Sequence, residues 1–434
     1  MRIGRYAYAG AVVAALIVAL GFWNPFAADG AKAANPAPPR YRVDASWPKP
    51  LPHQWQIGQV PGIAVDKNDH IWIVQRARTL TSDERGASDF EPGAGAVLDG
   101  AARPQGAISD CCLPAPAVMQ FDLKGNLLQA WGGPADPEFA QGPGSRCPEP
   151  TCEWPNTEHG IYVDHNMNVW LGGQAGRAVL KFTADGHFLL QIGRRLPPVR
   201  NSNDTNGAPN GTPLLGQPAD LEVDPKTNEL YIADGYTNLR VIVVDAETGL
   251  YRRHWGAYGQ NPVNDTGNVG PYIKNQPPAP HFRNPVHAVR ITNDGLVYVA
   301  DRANNRIQVF DKKTAGLPCQ NPMGTPGLCG FVGEFFVERD TLGPGSTWDL
   351  DVSPDRAQQF LFNADGSNNY VWTLLRSTGE IIERFGRNGR SAGQFHWVHN
   401  LAVDSRGNMY TAEVDTGKRV QKFVRRGHVS DPND

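Results

Sequence analysis

The sequence lacks an excess of charge of either sign. Its 44 acidic and 41 basic side chains among 434 residues leave a formal net of −3. That argues against nucleic acid or an anionic membrane surface as the main partner. Long helical periodicity is also missing beyond the N-terminus, which leaves an all-β reading. Cysteine is scarce, with six residues. None of them directly follows the N-terminal apolar run, so a lipoprotein is disfavoured. No cysteine pair has a second pair nearby, which disfavours a zinc knuckle. What the chain does have in plenty is turn chemistry, with 47 Gly and 36 Pro spread along it.

The first residues read as a targeting segment. Arg2 and Arg5 precede an apolar run from about Tyr6 to Trp23, and a small-residue site follows at Ala31-Lys32-Ala33. Residues 1–33 are expected to be a signal peptide cleaved on export to the periplasm or the exterior. The alternative is an uncleaved N-terminal anchor, because the run nearly spans a bilayer. Residues 34–52 read as an extended segment, 53–426 as the folded unit and 427–434 as a tail. Six cysteines suit an oxidising compartment. Cys147/Cys152 and Cys319/Cys329 each bracket a short Pro-rich loop and read as local disulfides. Cys111-Cys112 either closes on itself or bridges to another loop.

One unit recurs six times. Its first strands read Gly62-Ile63-Ala64-Val65-Asp66, Gly160-Ile161-Tyr162-Val163-Asp164, Asp220-Leu221-Glu222-Val223-Asp224, Ala288-Val289-Arg290-Ile291, Asp349-Leu350-Asp351-Val352 and Asn400-Leu401-Ala402-Val403-Asp404. In the first five copies three more short strands follow, the fourth typically ending in aromatic-Gly or Ile-Gly, as at Trp131-Gly132 and Ile192-Gly193. Four strands per unit and six units describe a six-bladed β-propeller. The last copy has only three strands. Gln54-Trp55-Gln56-Ile57-Gly58 reads as the missing fourth, which predicts a ring closed by the N-terminal segment.

The column that opens the first strand holds His159, His287 and His399 in copies two, four and six. The other copies hold Pro61, Ala219 and Trp348. In a closed ring alternate copies lie about 120° apart, so three imidazoles aim at one point on the axis. Three neutral imidazoles suit zinc and leave a position open for chemistry. The second strand ends on the same face. Arg76 and Arg302 occupy that place in copies one and four, across the ring from each other, and two guanidiniums there can hold a carboxylate. Tyr236 overhangs the same pocket from copy three, where a phenol can move a proton. Arg240 and Arg306, in third strands, read as ties between neighbouring blades. Four long connections, 77–117, 134–156, 194–218 and 257–284, emerge on this face and wall the pocket.

Tyr298-Val299-Ala300-Asp301-Arg302-Ala303-Asn304-Asn305-Arg306-Ile307-Gln308-Val309-Phe310-Asp311 resembles an NHL repeat. The whole of residues 53–426 resembles the peptidyl-α-hydroxyglycine α-amidating lyases, which are six-bladed NHL propellers. Their histidine motifs are matched by Glu158-His159-Gly160-Ile161, Val286-His287-Ala288 and Val398-His399-Asn400-Leu401. Their catalytic tyrosine segment is matched by Asp234-Gly235-Tyr236-Thr237-Asn238-Leu239-Arg240, and their arginines by Arg76 and Arg302. The resemblance implies zinc on the three histidines, Tyr236 as the proton acceptor, and cleavage of an N-substituted α-hydroxyglycine to an amide and glyoxylate. It also implies an axial calcium supported by an Asp at the position of Asn400. An Asn carbonyl can still ligate calcium but brings no charge. Thr237 replaces the family's cysteine.

The expected ligand is therefore a small molecule or peptide bearing a carboxylate, bound by a monomer, with no nucleic acid and no membrane beyond a possible anchor. Two other readings compete. A non-catalytic NHL propeller would serve as a binding scaffold. A lactonase-type hydrolase would use a carboxylate-rich calcium site on a similar ring. Stoichiometric zinc supports the lyase, calcium alone the lactonase, and neither the scaffold.

Overall fold

Each copy of the repeat alternates apolar and polar side chains through short β-branched and aromatic runs, and each becomes a four-stranded antiparallel sheet. The structure is a computed structural model that describes residues 36–88, 107–139, 144–195, 201–263, 270–318 and 330–426. Blade one comprises Gln59–Val65, Ile71–Arg76, Val118–Phe121 and Leu127–Trp131. Blade two comprises Glu158–Val163, Val169–Gly173, Ala178–Phe182 and Phe188–Gly193. Blades three, four and five begin with Asp220–Asp224, Val286–Ile291 and Asp349–Val352. Blade six begins with Val398–Val403.

The six first strands neighbour one another in sequence order, and Val398–Val403 packs back on Gln59–Val65. That closes the ring. Six apolar clusters fill the six interfaces between adjacent blades. Trp72 and Trp131 lie with Ile161 and Phe182 between blades one and two, for example, and Trp348 with Leu401 and Phe423 between five and six. Burying a side chain of this size contributes about 1.5–3 kcal/mol. The wedge between blades is therefore where the stability of this fold resides.

An N-terminal strand does complete blade six, but it is not the expected one. Arg40–Asp44 pairs antiparallel with Arg419–Arg426, from Arg40↔Arg426 to Asp44↔Lys422. The propeller thus starts within the stretch read as an extended lead. Trp55–Gln56 instead forms a short parallel pair with Leu113–Pro114. The reason is reach. An outer strand lies three strand spacings, roughly 14 Å, from the inner strand of its own sheet. Gly58 directly precedes Gln59, so Gln54–Gly58 has no chain left to cross that distance. Residues 45–58 make the crossing instead.

Tyr41 of the closing strand rests against Phe385, with ring centroids 5.1 Å apart. Deleting residues 36–44 should expose the edge of Arg419–Arg426 and uncover Phe385 and Phe423. The expected loss is on the order of 2–4 kcal/mol, a fall of several degrees in melting temperature, with aggregation. Calorimetry and light scattering measure both. An unchanged transition would show that closure needs no such strand.

The Cys147–Cys152 disulfide is present and buried, and Cys111–Cys112 closes on itself. Cys319 and Cys329 lie outside the described residues, as do the targeting segment and the tail. Among the described residues, no helix is long and apolar enough to cross a membrane.

Candidate active site

The regular ladder breaks where the histidines sit. In blade four, Val286 pairs with Asp301 and Ala288 with Ala300, so His287 has no partner and forms a bulge. Blade six does the same around His399, and blade two around His159 and Gly160. A bulge re-aims a side chain, here towards the ring's interior. The three ring centroids lie 4.8, 4.8 and 5.1 Å apart. Their candidate ligand atoms all fall within 4.8 Å of one another, and all three residues are buried.

The three column positions that lack histidine have a role too. Nδ1 of His159 donates to the carbonyl of Ala219 at 2.7 Å, and Nδ1 of His399 to that of Pro61 at 2.7 Å. Nδ1 of His287 donates to the carbonyl of Trp348. Each imidazole is thus pinned by the neighbouring blade, and Nε2 is left as a free lone pair. Gly160 permits this approach in blade two, since a Cβ there would meet the Ala219 oxygen at 2.6 Å. Burial is the first cause that holds all three histidines well below the ordinary value; the next are His399, Arg76 and Arg302 for His159, Arg302 and the other two imidazoles for His287, and the two guanidiniums for His399. They are neutral at physiological pH. A buried convergence of neutral Nε2 atoms fits a metal ion.

Tyr236 reaches the same point from blade three. Its hydroxyl lies 3.0 Å from Nε2 of His159 and 3.1 Å from Nε2 of His287. The segment that projects it is held from below. Asp234 accepts from the Gly216 amide at 2.6 Å, the Asn238 side chain at 2.8 Å and Arg240 Nε at 2.9 Å. Gly235 lies flat on the backbone of Val286, where a Cβ would meet atoms 2.0 Å away. Arg240 also donates to the carbonyls of Ser202, Asp204 and Leu214. It therefore ties a connecting loop to its own blade, rather than blade to blade as expected. Arg306 does the same in blade four, reaching Asp301, Tyr258 and His281.

Both candidate arginines flank the phenol. Arg302 donates to the Tyr236 oxygen at 3.3 Å and to the Pro344 carbonyl at 3.1 Å, with its guanidinium 4.4 Å over the Trp348 ring. Arg76 donates to the Glu158 carbonyl at 2.7 Å and to Gln59 at 2.9 Å. Its charge is felt by His159 and His399. The structure thus brings together the histidines, Tyr236 and both arginines. Asn400 stays out of this group. Its side-chain oxygen accepts the Ile63 amide at 2.7 Å, tying blade six to blade one.

Sequence reasoning missed Trp348, which faces His287 and His399 edge-on and stacks under Arg302. Its place in the histidine column was the available signal. It also missed the Arg78–Glu158 ion pair, at 3.3 Å, behind Arg76. The carbonyls that pin the imidazoles carry no signal in side-chain identity.

A family model for the NHL repeat matches residues 284–310, which span the first strands of blade four. Peptidyl-glycine alpha-amidating monooxygenase B of Xenopus laevis is 31% identical over 266 residues, covering 61% of this chain and 26% of that protein. A probable peptidyl-alpha-hydroxyglycine alpha-amidating lyase of Caenorhabditis elegans is 25% identical and covers 84% of this chain and 83% of its own. This chain is a six-bladed propeller that carries an NHL repeat and is similar in sequence to proteins named as amidating lyases. NHL repeat-containing protein 3 of Homo sapiens is also similar, 28% identical over 88% of this chain and 84% of that one. The chain spans about a quarter of the amphibian relative's length, 26%, so it corresponds to one part of that larger protein.

Proposed function

We propose that the protein is a zinc-dependent carbon–nitrogen lyase that splits an N-substituted α-hydroxyglycine into an amide and glyoxylate. The observation that carries this reading is the Tyr236 hydroxyl, 3.0 and 3.1 Å from two of three converging imidazoles, with Arg302 donating to the same oxygen. His159, His287 and His399 would hold the zinc, which when bound supplies Lewis-acid polarisation of a substrate oxygen.

The chain's own residues account for the rest. Arg76 and Arg302 hold the substrate carboxylate from opposite sides of the pocket. Tyr236 is the base that takes the proton of the α-hydroxyl. The O–H pair becomes the second bond of the new aldehyde and the C–N pair leaves on nitrogen. That nitrogen takes up the proton from the phenol, which restores the tyrosine and releases a primary amide. Neutral imidazoles pinned at Nδ1 keep their geometry throughout.

The test is glyoxylate release from a small N-acyl α-hydroxyglycine by the purified protein. Release that depends on bound zinc supports the lyase. A protein that keeps its metal and releases no glyoxylate removes the lyase reading and favours a binding propeller. Arg302→Ala should lower kcat/KM by roughly 10- to 100-fold, because a charge-assisted pair to a carboxylate is worth about 1.5–3 kcal/mol. Arg76→Ala should cost a similar amount. Unchanged kinetics in both variants would place the carboxylate elsewhere.

We also read the protein as exported and monomeric. Its two described disulfides suit an oxidising compartment. Mass spectrometry of the secreted form should find the N-terminus near Ala34.

A further inference from the structure

Below the histidines the channel holds a second cluster that the proposed chemistry does not use. Directly after the histidine column the inner strands of blades three, five and six present Asp220, Asp349 and Asn400. Two residues further along, blades three, four and five present Glu222, Arg290 and Asp351. The acids lace blade three to blade four and blade five to blade six. Asp220 accepts the amide of Val289 at 3.2 Å and Glu222 that of Ile291 at 2.9 Å. Asp349 accepts the amide of Leu401 and Asp351 that of Val403, both at 2.8 Å.

Arg290 lies among all four acids. Its nitrogens are 3.4 Å from Asp220, 3.8 Å from Glu222, 3.4 Å from Asp349 and 4.0 Å from Asp351. One guanidinium N–H also donates to the Val289 carbonyl at 3.0 Å. Buried carboxylates are costly unless a positive charge and hydrogen bonds offset their desolvation. Burial raises all four acids despite Arg290, and pushes Glu222 up to about 8, so Glu222 keeps its proton at neutral pH. Burial works against the charge on Arg290, but the acids outweigh it and hold the guanidinium above its ordinary value.

The resemblance to the amidating lyases implies a calcium on this axis, supported by an Asp where Asn400 stands. Asn400 brings no charge, and its oxygen already receives the Ile63 amide. We propose that the Arg290 guanidinium is the resident cation of the channel in place of that calcium, so that this ring is held together without it.

The test needs calcium alone as its probe. Asp351, one of the four acids, lines a cavity of about 390 Å³ that also includes Tyr162 and Asp404, so an added ion can reach that carboxylate. The purified full chain should retain no stoichiometric calcium by elemental analysis, and added calcium should leave its melting temperature unchanged. One calcium per chain, or a calcium-dependent rise in melting temperature, would overturn the assignment whatever any variant does. Arg290→Met should melt about 5 °C or more lower, and calcium should recover part of the loss by occupying the vacated centre of the acids. Arg290→Lys, which keeps the charge, should melt closer to the wild type. A Met variant as stable as wild type, or one that melts lower and responds to no calcium, would make Arg290 a packing residue. If the Met variant does not fold, the calcium content of the wild type and the Lys variant decide the question.

Discussion

His287→Ala should fold, lose its metal and release no measurable glyoxylate. The binding free energy of a four-coordinate zinc is about 10–16 kcal/mol, so one ligand in four accounts for roughly 2.5–4 kcal/mol. Affinity should therefore fall by on the order of a hundred- to a thousandfold, read by elemental analysis after dialysis and by competition with a chromophoric chelator. The fold should survive because the six apolar wedges lie between blades and none of them contains His287. The cost in the metal-free protein is a small void and the unpaired Trp348 carbonyl, which His287 Nδ1 had satisfied. His159→Ala and His399→Ala should behave alike, since each imidazole is held by the same kind of bond. A His287→Ala protein with full zinc occupancy would show that the three imidazoles are not a single site.

Tyr236→Phe should keep its metal and lose turnover. The ring would stay packed edge-on against His159 and His287, at centroid distances of 5.2 and 5.8 Å. Only the oxygen that bridges their Nε2 atoms would be gone. Removing a positioned proton acceptor costs about a hundredfold to ten-thousandfold in rate. The loss should appear in kcat, with KM changed little, because the proposed carboxylate contacts of Arg76 and Arg302 would remain. Wild-type turnover in this variant, with zinc retained, would take Tyr236 out of the mechanism. Loss of zinc together with turnover would instead make the phenol a metal-binding group.

Much of this was legible in the sequence because the repeat is regular. Strand alternation, six copies and one shared column were enough to place His159, His287 and His399 in alternate blades of a ring. The motif Asp234-Gly235-Tyr236 and the second-strand arginines could be assigned to the same face by counting strand directions. The closing strand was misplaced for a physical reason. Gln54–Gly58 matches the outer-strand pattern, but pattern carries no information about how far the chain must travel. Arg40–Asp44 succeeds because residues 45–58 can cross from the rim to the channel.

The sequence by itself determined the number of blades, the face that carries the histidine column and the identity of the groups on it. These follow from local periodicity and turn chemistry, which act over a few residues. The tertiary structure decided everything that depends on backbone atoms meeting across blades. Bulges aim the imidazoles inward, and the carbonyls of Pro61, Ala219 and Trp348 fix their tautomer. Arg290 finds its four acids only because blades three and five stand on either side of blade four. Every residue has a carbonyl and an amide, so which of them meets a given side chain is settled by closure of the ring and not by residue type.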